Sequence, residues 1–162
     1  MKTHSLRISS IAGPVLIALA MLGVAPMAMA QPGDETCSNH TLRGDYGFDI
    51  QAQLTFDIVR VLRGVAMTHF DGRGHLKQVD HVVVGGFPPL PTNAWNAGSG
   101  TYSVNPDCTG TATINFADGR PSVTLSLVVV REGTEVHTVV DNPGPGADLY
   151  GVSIGIKRDW SR

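Results

Sequence analysis

Asp80 is the residue whose setting asks most of chemistry. It stands in Leu76-Lys77-Gln78-Val79-Asp80-His81-Val82-Val83-Val84, an apolar-rich run that follows the turn Asp71-Gly72-Arg73-Gly74. If that turn sets Phe70 across from Leu76, strand alternation sets Thr68 across from Gln78 and Ala66 across from Asp80, all on the side of Phe70. A carboxylate on an inward face must be paired or have its pKa raised, and raised acids serve binding pockets and proton transfer. Asp80, Gln78 and Thr68 therefore form the first candidate ligand-binding set. The alternative is a strand-end Asp that reaches water.

Other chemistry-bearing types are scattered. Tyr46, Tyr102 and Tyr150 each suit either a ligand contact or a core position whose hydroxyl finds a backbone partner. A turn at Arg131-Glu132-Gly133-Thr134-Glu135 sets Val129, Leu127 and Leu125 across from Val136, Thr138 and Val140, so Thr138 is the one hydroxyl on that face. Among the histidines, His69 faces Lys77 and His81 faces Val65, which separates the two by roughly 13 Å along a strand. His137 points outward with Glu135, so no metal centre is expected. No GxSxG, no HExxH and no Gly-rich loop opening a helix occurs. Neither a standard catalytic triad nor a cofactor is indicated, and whether the protein is an enzyme stays open.

The N-terminus bears on compartment. Lys2 and Arg7 precede the apolar run Ile11 to Pro26, and Ala28-Met29-Ala30 follows, the order of a secretory signal with cleavage before Gln31. The run falls short of the roughly 20 apolar residues of a comfortable span, so no stable membrane anchor is expected after cleavage. Residues 31–162 then carry ten basic and fourteen acidic side chains with no Lys/Arg cluster, which argues against nucleic acid. An exported chain, in periplasm or medium, meets an oxidising environment. Cys37 and Cys108 are its only cysteines, so a disulfide is the default.

These side chains need a scaffold. Short runs rich in Val, Ile, Thr, Tyr and Phe alternate with Gly, Asp, Asn and Pro clusters, as in an all-β meander. The runs predict strands near 44–54, 58–70, 75–85, 99–105, 110–117, 122–131, 134–141 and 148–158. Eight antiparallel strands with short links close into a small, mostly up-and-down barrel, which removes exposed edges; a β-sandwich is the competing architecture. The expected division is a signal at 1–30, a disulfide-tied segment at 31–43 and one barrel domain at 44–162. Tyr46, Phe48, Ile50, Ala52 and Leu54 take the inner side of the first strand. Tyr102, Val104, Ala112, Ile114 and Phe116 do so in the middle, and Tyr150, Val152, Ile154 and Ile156 in the last strand.

Three segments suggest a relationship. Gly44-Asp45-Tyr46-Gly47-Phe48, the stretch Thr68 to Leu76 (THFDGRGHL) and the stretch Gly98 to Ile114 (GSGTYSVNPDCTGTATI) resemble a largely uncharacterised group of exported bacterial proteins. That group pairs a G-x-Y-G-F start with an F-D-G-x-G hairpin and a G-T-Y-x-V-N-P-D-C-T-G-T-A-T core. The resemblance extends loosely to calycin-like barrels such as allene oxide cyclases and dirigent proteins, and there it implies fold shape and no active-site residue.

The chain departs from that pattern at Phe87-Pro88-Pro89-Leu90-Pro91 and at the stretch 141–148 (DNPGPGAD). Prolines remove donors and hold the residues before them extended, so the first of these crosses the surface outside any ladder. Phe87, Leu90 and Trp95 are expected to bury themselves as a flap over one barrel mouth. A core plug, a ligand-gating lid, and a docking patch for a partner or a second copy in a homo-oligomer all fit that expectation. The function expected is binding of a small hydrophobic molecule in the barrel. A cofactor-free cyclase or isomerase is the alternative, and a structural or interaction module of the cell envelope follows.

Overall fold

The computed structural model describes residues 36–55, 58–87, 94–142 and 149–159. The proposed signal, Leu90 and most of the 141–148 loop lie outside them. Residues Glu35–Arg162 form one compact unit. Its strands are β1 (Arg43–Thr55), β2 (Val59–Asp71), β3 (His75–Val84), β4 (Asn96–Val104), β5 (Thr109–Phe116), β6 (Val123–Val130), β7 (Glu135–Asn142) and β8 (Leu149–Lys157). Each pairs antiparallel with the next, and β8 returns to β1 through pairs such as Phe48 with Gly155, so the sheet closes. That closure makes the molecule a barrel rather than a sandwich.

Turn chemistry sets the register. Asp71 accepts the backbone N–H groups of His75 and Arg73 through one carboxylate oxygen, at 3.0 and 2.7 Å. Those two bonds, that from His75 first, hold its carboxyl below the ordinary range. Phe70 consequently meets Leu76, Thr68 meets Gln78 and Ala66 meets Asp80. The 131–134 turn likewise sets Val129 on Val136, Leu127 on Thr138 and Leu125 on Val140.

One end of the barrel has a floor. Leu42, Tyr46 and Val136 are fully buried there among Phe70, Leu76, Tyr102 and Leu127. Phe70 is met edge-on by Tyr46 and Tyr102, with ring centroids 5.4 and 5.0 Å away. The segment 36–42 lies across this end and is stitched to it. The Cys37 N–H donates to the Pro106 carbonyl, the Asn39 side-chain oxygen accepts the Val104 N–H at 2.7 Å, and a disulfide joins Cys37 to Cys108. Gly133 sits at φ +80° directly beneath the Thr41 carbonyl, where a Cβ would lie 2.2 Å from that oxygen. Only glycine suits both the conformation and the gap.

The last strand runs in the opposite phase to the one expected. Tyr150, Val152, Ile154 and Ile156 face outward, Tyr150 being 58% exposed, while Gly151, Ser153 and Gly155 face in. Space explains the inversion. A Cβ on Gly155 would fall 2.5 Å from the Phe48 ring and one on Gly151 would fall 2.6 Å from the Ala52 Cβ, so β8 gives up inner volume to its neighbour. In addition β4 begins at Asn96, three residues earlier than expected, because Asn96 pairs with Asp80.

Candidate functional site

Above the floor the barrel is hollow. A cavity of about 710 Å³ extends from Phe70 and Leu76 to a rim marked by Leu54, Arg60, Val84, Phe87, Pro121 and Leu149. The rim lies at the end that carries the β1–β2, β3–β4, β5–β6 and β7–β8 connections. Most of the wall is aliphatic or aromatic, with Phe48, Ile50, Leu62, Val82, Leu125 and Val140 facing in. Two polar groupings interrupt it.

The larger grouping is built on Asp80, which is only 2% exposed. Alternation along β3 points Asp80 and Gln78 inward, and the β2–β3 register delivers Thr68 beside them. Thr68 donates to the Gln78 carbonyl oxygen at 3.4 Å, and the Gln78 amide donates to Asp80 Oδ2 at 3.2 Å. From the β5–β6 turn, Arg120 reaches over and places Nη2 3.1 and 3.2 Å from the two Asp80 oxygens. Asp80 is thus a paired acid. Arg120 is itself held in place: its Nε donates to Asp118 at 2.7 Å, and its guanidinium carbon lies 4.0 Å above the centre of the Phe116 ring. Partial burial pushes the Asp118 carboxyl up, but hydrogen bonds from the Arg120 backbone N–H and guanidinium outweigh this and hold it below the ordinary range. The smaller grouping is Thr138 with Ser153, whose hydroxyls meet at 2.7 Å. Thr138 lies on β7, four strands round the barrel from the β3 that bears Asp80.

The expected site residues divide accordingly. Asp80, Gln78, Thr68 and Thr138 all line the cavity. The tyrosines do not. Tyr46 donates its hydroxyl proton to the Gly133 carbonyl, and Tyr102 lies 2.9 Å from the Leu42 carbonyl and 3.1 Å from that of Asn39, so both build the floor. Burial pushes Tyr46 up to about 12 and raises Tyr102 as well. Tyr150 belongs to the outer surface.

The flap residues also stand elsewhere than expected. Gly85 and Gly86, both at positive φ, make a two-residue turn that folds Phe87 back to pair with Val84, leaving Phe87 on the rim at 77% exposure. Trp95, one residue before inward-facing Asn96, points outward against His81 and is 59% exposed. Phe87 and Trp95 therefore do not bury themselves over the mouth.

Arg120, Asp118, Asn96, Arg60 and Ser153 are cavity residues that strand alternation alone did not single out. The available signal for Arg120 was topological: the 117–121 turn (ADGRP) belongs to the same barrel end as Asp80 and supplies a cation there. The histidines have separate local partners, His69 with Asp45, His75 with Asp71, His137 with Glu135 and His81 with the Ala94 carbonyl. Among the described residues no three metal-ligating side chains converge. No family model, curated protein or solved structure matches the chain.

Proposed function

We propose that this is an exported binding protein that holds a small, largely hydrophobic molecule in the upper half of its barrel. The observation that carries the reading is the cavity of about 710 Å³ with mostly apolar walls, which falls within the roughly 300–1,000 Å³ of small-molecule sites. Export is supported by the signal-like N-terminus and by the Cys37–Cys108 disulfide. It also accords with the motif resemblance to exported barrels. Among the described residues no helix is long and apolar enough to cross a membrane.

A cofactor-free cyclase or isomerase is the second reading, favoured by fixed charges at Asp80 and Arg120 against an otherwise dry wall. Their mutual pairing favours holding over turnover. The test is titration of a neutral polarity-sensitive dye such as Nile red, with native mass spectrometry of protein exported through its own signal. Saturable binding that Ala66→Phe weakens at least tenfold is expected, since Ala66 lines the cavity beside Asp80. A folded wild-type protein that binds no dye and carries no releasable adduct would refute the proposal.

A further inference from the structure

We infer that the Asp80 wall makes the cavity select neutral, hydroxyl-bearing hydrophobic molecules over carboxylic acids and amines of the same length; this rests on the carrier reading above. The first ground is the count of hydrogen-bonding positions. A carboxylate offers about four lone-pair sites, and Asp80 uses three, with one Arg120 bond on Oδ1 and one each from Arg120 and Gln78 on Oδ2. One acceptor position on Oδ1 remains. Arg120 directs Nε to Asp118 and Nη2 to Asp80, and Nη1 has no hydrogen-bond partner among the described residues. Arg120 lines the cavity and its side chain is 36% exposed, so those donors are reachable. A lone acceptor beside a spare donor matches a hydroxyl, which donates and accepts through a single oxygen.

The second ground is charge. Asp80 and Asp118 oppose the single guanidinium of Arg120, so the wall is already satisfied in cations and carries a net charge of −1. An incoming carboxylate adds a second negative charge where apolar walls screen little. An ammonium must give up its water for one remaining acceptor. Arg60 also lines the rim, but it is exposed, and salt in the solvent screens it. A neutral hydroxyl meets neither penalty, while the rest of the molecule lies against Ile50, Leu62 and Val82.

The experiment is displacement of bound Nile red at neutral pH by decan-1-ol, decanoate and decylamine, each below its micelle concentration. Decanol is expected to bind about tenfold tighter than either charged analogue. Asp118→Asn releases Arg120 from its exposed partner and should narrow the gap between decanol and decanoate about tenfold by admitting the acid. Asp80→Asn should do the same, and Asp118→Asn keeps the test intact if that buried variant fails to fold. Decanoate or decylamine binding as well as decanol, or a gap unmoved by Asp118→Asn, overturns the selection while leaving the carrier reading in place. A protein that binds neither the dye nor any of the three ligands overturns both.

Discussion

Removing Arg120 should cost the fold more than removing the charge of Asp80, although the two form one ion pair. The side chains differ in exposure, 36% for Arg120 and 3% for Asp80. In Arg120→Met the cation over the Phe116 ring is lost along with the ion pair, and Asp80 stays buried with only Gln78 to bond it. Leaving a buried charge without its partner costs about 3–5 kcal/mol in dry surroundings, and the exposure of this pair lowers the expectation to about 2–3 kcal/mol. In Asp80→Asn the guanidinium still has Asp118 and water, so about 1 kcal/mol is expected. At roughly 3–5 °C per kcal/mol for a domain of this size, Tm should fall about 6–15 °C in the first variant and about 3–5 °C in the second. Urea unfolding of both singles and of the double variant would read the coupling directly. Equal losses, or a larger loss for Asp80→Asn, would refute the argument that burial of the acid sets the energetics of this wall.

The tyrosine floor predicts alkaline sensitivity. Tyr46 is pushed up to about 12 in the folded protein, against about 10 unfolded, so its contribution is complete below pH 10 and lost as pH rises from there through 12. Ultraviolet titration should find late phenolate formation that loses its latest step in Tyr46→Phe, a variant also about 1–2 kcal/mol less stable because the Gly133 carbonyl loses its donor. Reduction of Cys37–Cys108, or replacement of both by Ala, should lower stability by about 4 kcal/mol, as expected for a loop closed over 71 positions, with Tm in the presence and absence of reductant as the readout. Gly155→Val should cost at least about 2 kcal/mol in urea unfolding because its branched carbon enters the space of the Phe48 ring; a neutral result would show that Phe48 is free to swing aside.

Short hairpins made much of this architecture readable in advance. A tight turn fixes parity, and parity carried from Phe70 and Leu76 placed Asp80 inside, just as the 131–134 turn placed Thr138 there. The phase of β8 was not readable in the same way. No two-residue turn joins it to β7 to carry parity across, and its apolar alternation at Tyr150, Val152, Ile154 and Ile156 is the pattern an inner face would show. The volume of the Phe48 ring, set by a strand a hundred residues earlier, decided the matter. Arg120 escaped for a related reason, since a turn residue has no face to assign and its meeting with Asp80, 40 positions away, depends on which barrel end both occupy. Phe87 followed the two glycines before it rather than the prolines after it.

Closure of β8 onto β1 bears on how the molecule can associate. Among the described residues every strand has a neighbour on both sides, so no whole strand edge is left for a visiting peptide or a second copy to extend. The outward row of Tyr150, Val152, Ile154 and Ile156 is accordingly presented as side chains alone. Whatever rests on that row must lie flat against it, by shape and apolar contact, and the amyloid-like route of edge-to-edge stacking is shut for as long as the ring of strands stays whole.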